Sequence, residues 1–270
     1  MKIYVLCDME GASGIFTREM AWPEKERWYL YEEGRHLLTE DVNSAITALL
    51  AAGVDELLVC DTHSGGGNNF LWGEMVADPR VTYESPYDAV LMPGLDESFD
   101  GLILMGHHAK AGTQGAFLDH TMSHEAWFDF TINGLSVGEI GIEACYAGHW
   151  GVSLIMVQGD TYCCREAEEQ FPGVVTSAVK QGLSRYKARG MAPALAHKQT
   201  SEKIAQAVAL ARKKILKPYK PALPMRIRFT AMSTSDCERH ASQPGVTRID
   251  GRTLEGVVQQ QCDVMRWLIG

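Results

Sequence analysis

The sequence predicts a three-layer α/β/α core with a mainly parallel sheet, together with a smaller α+β domain. Two observations carry this prediction. Short apolar runs without polar alternation recur along the chain, as is typical of strands buried on both faces of a parallel sheet. A stretch with helical periodicity separates the first two runs, as a crossover between parallel strands requires.

The N-terminal part of the chain contains one strand, helix and strand in succession. KIYVLCD (2–8) is a continuous apolar run, 37–53 has helical periodicity, and ELLVCD (56–61) is a second run. Gly53 can adopt the left-handed conformation that ends a helix. The pattern predicts two parallel strands joined by a helix.

Two further strands of the same kind are predicted at 101–108 and 152–160, the second followed by a helix from near Cys164. A helical stretch covers 201–218, after which prolines at 218, 221 and 224 mark a break.

Beyond the break, 225–232 and 246–251 have strand patterns and 254–268 has the pattern of a helix. We therefore predict a core domain at 1–217 and a smaller α+β domain at 218–270, to which part of 65–100 can contribute.

Composition excludes several classes of protein. Lys and Arg number 25 against 34 Asp and Glu, a net charge of -9, which would repel a phosphate backbone. No apolar run approaches the roughly 20 residues that span a bilayer, and the N-terminal run is too short for a signal peptide. The seven cysteines include no CxxC pair, which argues against a disulfide framework. We expect a soluble cytoplasmic chain without nucleic-acid or membrane partners.

Polar residues follow each predicted strand. Ligands of open α/β sheets bind outside the carboxyl ends of the strands, so these residues are expected to meet in one crevice. The candidates are Asp8, Asp61, His63, His107, His108 and Asp160.

Asp8 and Glu10 stand two residues apart at the end of the first strand, where alternate side chains point the same way. Two adjacent buried carboxylates need a positive partner, which a metal ion, an Arg or a Lys can supply. His63 and His108 arrive at the same predicted edge. Carboxylate and imidazole together are the ligands that suit zinc and similar ions.

We interpret the glycine-rich segment and two of the cysteines as structural features rather than as binding groups. The glycine-rich segment 64–70 matches neither common phosphate-binding pattern, so we predict a mobile loop beside the site. Cys7 and Cys60 end apolar runs and are expected to be small buried hydrophobes. Since neighbours on a strand face opposite sides, they should point away from the adjacent candidate ligands.

Five short strings resemble one family, the zinc-dependent D-aminopeptidases of dipeptide-permease operons. They are Asp8-Met9-Glu10-Gly11 with Ser13-Gly14, Asp61-Thr62-His63-Ser64, Gly106-His107-His108-Ala109, Asp119-His120-Thr121-Met122 and Val137-Gly138-Glu139-Ile140-Gly141. The similarity runs nearly end to end and includes VVTSAVKQGLSR (174–185).

The resemblance implies a two-zinc site in which Asp8 bridges the ions. Glu10 and His63 would complete the first site, and His108 and Glu139 the second. Glu139 comes from the resemblance alone. His120 is similar to the catalytic histidine of the family, with its role as nucleophile, acid or base, or oxyanion donor left open. The implied substrates are short peptides or amino-acyl amides with N-terminal D-residues, and the implied assembly is a ring-shaped homo-oligomer, a homodecamer.

Some features depart from the family pattern. The stretch between His108 and His120 is one residue longer than is typical, His107 replaces an aromatic residue, and the region 10–35 follows the family poorly. The resemblance therefore does not fix substrate side chain or D versus L preference.

Two alternatives remain at this stage: a two-metal phosphohydrolase, which would use the same ligands, and a non-catalytic peptide- or metal-binding protein. An aminopeptidase also needs an anchor for the substrate ammonium group, for which Asp119, Asp129 and Asp160 are candidates.

Overall fold

The structure is a computed structural model that describes residues 1–65, 68–85 and 90–268. Its strands are β1 (Lys2–Cys7), β2 (Glu56–Asp61), β3 (Val81–Glu84), β4 (Gly101–His107), β5 (Trp127–Ile132), β6 (Leu135–Ser136), β7 (Leu154–Asp160), β8 (Val175–Ser184), β9 (Lys187–Gly190), β10 (Met225–Ala231), β11 (Val246–Arg248) and β12 (Thr253–Val258). Its α-helices are α1 (Arg18–Ala21), α2 (Trp28–Ala51), α3 (Glu139–His149), α4 (Thr161–Gln170), α5 (Pro193–Arg212) and α6 (Thr234–Glu238).

The larger sheet has seven strands in the order β3-β2-β1-β4-β7-β8-β9. Every neighbouring pair is parallel except β8 and β9. The mainly parallel α/β core predicted from the apolar runs is confirmed.

Alternate residues of β1 enter two separate hydrophobic cores. Ile3 and Val5 pack in one core with Val42 of α2 and Ile204 of α5. Tyr4 and Leu6 pack with residues of α3 in the other core, which is here called the α3-side core. Because both faces of the strand are covered, its sequence is apolar without alternation.

The smaller sheet has the order β11-β12-β10-β5-β6 and is antiparallel. Phe229 of β10 lies opposite Phe130 of β5, and both are fully buried in the α3-side core. This sheet therefore joins strands from 225–258 to two strands that precede residue 217. The division of the chain at residue 218 stays a prediction.

The helix predicted at 254–268 is wrong: the structure has β12 in its first part, then a short 3-10 helix at Gln261–Asp263 followed by turns. Leu254, Gly256 and Val258 of this strand are buried, and β12 pairs with both β10 and β11. A short run of mixed sequence does not distinguish the helical from the strand periodicity. Pairing with neighbouring strands therefore decides which structure forms.

The remaining helices occupy the predicted regions with different limits. Helix α2 begins at Trp28 rather than near residue 37, and α5 covers Pro193–Arg212 rather than 201–218. Across the three described ranges, no helix is both long and apolar enough to cross a bilayer.

Candidate metal centre

The candidate site lies at the carboxyl ends of three neighbouring strands. Asp8 follows β1, His63 follows β2 and His108 follows β4, in the sheet order β2-β1-β4. The crevice that the strand-end rule predicts is therefore present. Asp8 and Glu10 converge from the turn after β1, which ends at Cys7, rather than from the strand itself.

Asp8, Glu10 and His63 form the first group of donor atoms, all within 4.8 Å of one another. His63 Nδ1 lies 3.0 Å from Asp8 Oδ1 and 3.2 Å from Glu10 Oε2. The other ring nitrogen, Nε2, donates to the carbonyl of Ala21 at 2.7 Å. This bond orients the ring so that Nδ1 faces the two carboxylates.

Asp8, His108 and Glu139 form the second group. His108 Nε2 lies 3.3 Å from Asp8 Oδ2 and 3.2 Å from Glu139 Oε1, and its Nδ1 donates to the Ala109 carbonyl at 3.0 Å. Glu139 is the first residue of α3. Asp8 thus presents one carboxylate oxygen to each group.

Two atoms of this cluster are buried and lack a hydrogen-bond partner: Glu10 Oε1 and His108 Nε2. Buried polar atoms almost always have partners, because desolvation without compensation is costly. Both atoms are ordinary metal ligands, and each belongs to a group with the donor chemistry of zinc. The residues present therefore fit a pair of metal ions.

The attraction between the imidazoles and the carboxylates shifts their pKa values more than burial does. Burial alone would lower the pKa of both histidines, but Glu10 and Asp8 raise that of His63, and Glu139 and Asp8 raise that of His108, well above the usual range. Burial would raise the pKa of Asp8, yet the two histidines hold it well below its usual value. Metal ions compete with protons for such nitrogens, so this anionic cluster favours cations.

His120 stacks on His108 inside the same cluster. Its Nδ1 donates to the Leu118 carbonyl at 2.8 Å. Its Nε2 lies 3.8 Å from Glu10 Oε1 and 3.7 Å from Glu139 Oε1. Burial and the neighbouring His108 lower the pKa of His120, which favours a neutral ring with Nε2 as acceptor. Because Glu10, His108 and His120 also form a donor group, both a free and a ligating role are geometrically open.

Two glycines allow the turn after β1 and the end of β4 to approach closely. A Cβ on Gly11 would lie 1.9 Å from the His107 carbonyl oxygen, and one on Gly106 would lie 2.1 Å from the Asp8 carbonyl oxygen. Gly106 also has φ +69°, in the region that disfavours side chains. These contacts explain why a glycine stands close to the proposed ligands in each of these two segments.

Lys180 of β8, which the sequence reasoning did not single out, holds the loop that carries Glu10. Its buried Nζ donates to the carbonyls of Glu10, Ala12 and Ile15 at 2.5–2.7 Å. All three N–H groups of the ammonium are thereby used. The loop conformation depends on a residue about 170 positions away.

A buried pair lies behind the cluster. His107 Nε2 lies 2.8 Å from Glu143 Oε2, and Nδ1 donates to the Met105 carbonyl. Burial would lower the pKa of His107, but Glu143 raises it to about 9. His107 therefore does not join the donor groups. Glu143 was also missed, although it follows Glu139 by one helical turn, on the same face of α3.

The cluster opens into a cavity of about 390 Å³, here called the carboxylate-lined cavity. Its wall includes the carboxylates of Asp8, Glu10, Glu139 and Glu143, several His, Ser and Thr side chains, and six apolar or aromatic residues. Among the described residues that line it there is no Lys or Arg. The apolar and aromatic lining residues are Trp22, Leu91, Met122, Trp127, Met265 and Leu268.

The other carboxylates proposed from sequence have partners elsewhere. Asp160 caps α4, accepting from the amides of Tyr162 and Cys163. Asp61 accepts from Asn69, and Asp129 accepts from Ser136. Asp119 pairs with Arg185. None of these four lines the carboxylate-lined cavity.

The glycine-rich loop begins at the cavity wall, which includes Ser64 and Gly65. Gly66 and Gly67 lie outside the described residues, so the predicted mobile loop stays a prediction.

Cys7 and Cys60 are fully buried in the two opposite hydrophobic cores. Their predicted burial is confirmed.

Comparison with known proteins gives three concordant matches. The model of the Peptidase M55 family, described as D-aminopeptidase, matches residues 1–269. A D-aminopeptidase of Bacillus subtilis (strain 168) is 37% identical over 224 residues, covering 82% of this chain and 78% of that protein. The solved structure of the Zn-dependent D-aminopeptidase DppA from Bacillus subtilis, described as a self-compartmentalizing protease, superposes with a TM-score of 0.91 at 31% identity. It covers 99% of this chain and 95% of that one.

Proposed function

The chain belongs to the D-aminopeptidase family Peptidase M55, and from this premise we propose that it removes N-terminal D-residues from short peptides or amino-acyl amides with a two-zinc centre. It is a metal-dependent aminopeptidase. The family match gives no support to a phosphohydrolase or to a non-catalytic binding protein.

One observation carries the two-ion proposal: Asp8 belongs to two separate donor groups and presents a different oxygen to each. We assign Glu10 and His63 to the first ion and His108 and Glu139 to the second. The unpartnered Glu10 Oε1 and His108 Nε2 support one ion on each side. The choice of zinc rests on the donor chemistry and on the zinc dependence of DppA.

When bound, two such ions would supply a water of lowered pKa and Lewis acidity at the scissile carbonyl. The chain itself supplies orientation, since backbone carbonyls fix the rings of His63 and His108. The apolar and aromatic side chains of the carboxylate-lined cavity offer contacts for the side chain of a bound substrate.

We propose that His120 is the catalytic histidine. Its bond to Leu118 places the proton on Nδ1, so Nε2 is free to accept a proton or to attack. A neutral ring in this tautomer has no N–H directed at the cluster, which argues against a role as oxyanion donor. Proton transfer from the attacking water to the leaving amine is the role that this geometry supports best.

We also propose a homo-oligomer whose subunits enclose the active sites. The support is the description of DppA as self-compartmentalizing, together with the match of the two chains over nearly their full length. A ring of ten subunits is the specific assembly that the family resemblance implies. Such a chamber would admit short peptides and exclude folded proteins.

We propose a reducing, cytoplasmic location. All seven cysteines are free and six of them are buried, as is usual for proteins kept in reducing compartments.

The proposed function is tested by loading the purified chain with Zn²⁺, Mn²⁺ or Co²⁺ and assaying matched D- and L-amino-acyl amides beside a phosphoester panel. We expect hydrolysis of the D-amino-acyl amides and about two bound metal ions per chain by elemental analysis. Phosphoester turnover without amide turnover would contradict the proposal.

A further inference from the structure

A second cavity adjoins the carboxylate-lined cavity at His120. It measures about 430 Å³ and is here called the arginine cavity. The two cavities share three wall residues: His120, His124 and Trp127. A substrate cleaved beside His120 therefore has space on both sides of its scissile bond.

The two cavities differ in charge. The carboxylate-lined cavity has four acidic side chains and, among its described lining residues, no Lys or Arg. The arginine cavity contains Arg185, which follows the end of β8, together with its ion-pair partner Asp119. Peptides carry an ammonium group at one end and a carboxylate at the other. The guanidinium of Arg185 is the group in the arginine cavity whose donors suit the carboxylate end.

Arg185 retains donors for a ligand after its internal contacts are counted. Its Nη1 donates to the Asp119 carbonyl and to Asp119 Oδ1, while Asp119 Oδ2 accepts from the Gly112 amide. Its Nε and Nη2 donate to no residue in the described ranges. The Arg185 side chain is 33% exposed, compared with 10% for Asp119.

Arg185 is thus held by one buried carboxylate, and it lines the cavity with its Nε and Nη2 donors still available. A guanidinium can bind two carboxylates, one on each edge, because its five N–H groups form a planar fork. Phe128, Tyr186 and Met232 supply an apolar surround at the same cavity, which suits the side chain of an uncharged residue.

We propose that the arginine cavity binds the leaving part of the substrate and that Arg185 binds its terminal carboxylate. This inference rests on the proposed aminopeptidase function and deepens it. It selects dipeptides with a free carboxyl end over C-terminally blocked peptides, and an uncharged second residue over an acidic one. Arg185 is then a specificity-determining residue for the leaving group.

The test compares two substrates that differ only in the end charge: a D-aminoacyl dipeptide with a free carboxylate, and the same dipeptide amidated at its C-terminus. In the wild type we expect a lower KM for the free acid. Arg185→Gln should raise the KM of the free acid by about 10-fold or more, the scale of a lost charge-assisted hydrogen bond. It should change the KM of the amidated dipeptide by no more than about twofold. Arg185→Lys should recover part of the difference.

Arg189→Gln is the matched control, since Arg189 is exposed on β9 and contacts Gln181. A purely structural role for Arg185, through Asp119 and the His120 loop, predicts equal losses in kcat for both dipeptides, and that result would overturn the proposal. Equal KM values for the two dipeptides in the wild type would overturn the Arg185 proposal without any variant. If the wild type still hydrolysed both dipeptides, the proposed aminopeptidase function would stand. Failure of the wild type on both would contradict both proposals.

Discussion

His120 and His108 stack with their ring centroids 3.8 Å apart and their planes 13° apart. The two rings nevertheless have different partners. His108 Nε2 faces Asp8 and Glu139 at 3.2–3.3 Å, whereas His120 Nε2 stays 3.7–3.8 Å from Glu10 and Glu139. The closer ring is the one that we propose as a ligand, and the more distant ring is the one that we propose as the proton-transferring group.

His120→Ala is expected to retain its fold and its full metal content but to lose about 10²-fold or more in turnover, because a positioned acid, base or nucleophile is removed. Elemental analysis and amide-hydrolysis rates on the same preparation measure both quantities. His36→Ala is the control, since this histidine is exposed and pairs with Glu74 away from the cluster. Loss of metal from His120→Ala would make His120 a ligand, and unchanged turnover would remove it from the mechanism.

Cys60→Ser is expected to reduce stability and leave metal binding intact. Cys60 lies fully buried in the α3-side core, where a hydroxyl without a good partner costs about 1–3 kcal/mol. Thermal denaturation and metal content are the measurements, with the partly exposed Cys262→Ser as control. A folded Cys60→Ser chain that lost its metal would contradict the assigned side-chain direction.

A pH effect on stability is expected from His197. Asp41 accepts from the Ser13 amide and hydroxyl, and it lies 3.2 Å from His197 Nε2. Asp41 raises the pKa of His197 above its usual value. The folded state therefore binds the His197 proton more tightly, so this contribution is full below about pH 6.5 and is lost as pH rises through the folded-state pKa.

His197→Gln should lack this component. The difference in melting temperature between wild type and variant should be largest at acidic pH and shrink above neutrality. A difference that is constant with pH would show that His197 contributes through packing alone.

The sequence was sufficient for the four central strands β1, β2, β4 and β7 of the larger sheet and for four of the five proposed ligands. Apolar runs reveal strands buried on both faces, and the residues after them must lie at one edge of the sheet. Asp8, His63 and His108 are positioned by this rule, and Glu10 follows Asp8 closely. Glu139 lies at the start of a helix rather than at a strand end, so only the resemblance indicated it.

What the sequence could not predict depends on long-range contacts. Lys180 reaches the Glu10 loop from β8, and Glu143 gains its importance from His107 on β4. Neither contact produces a pattern among neighbouring residues of the sequence. The same reason explains β12, whose conformation is set by pairing with β10 and β11.

The two-ion account predicts that Glu139→Gln weakens one metal site more than the other, by about 10- to 100-fold. Titration with Zn²⁺ followed by elemental analysis resolves the two affinities. Equal weakening of both sites would argue against assigning Glu139 to one ion.

The most direct test of the central claim is the metal stoichiometry of Asp8→Asn. Asp8 is shared by both donor groups, so its loss should disable both ions at once. Asp55→Asn, which changes an aspartate that is 81% exposed, is the matched control. We expect about two metal ions per chain in the wild type and control, and few or none in a folded Asp8→Asn chain. Two ions bound to Asp8→Asn with wild-type affinity would contradict the shared-carboxylate centre.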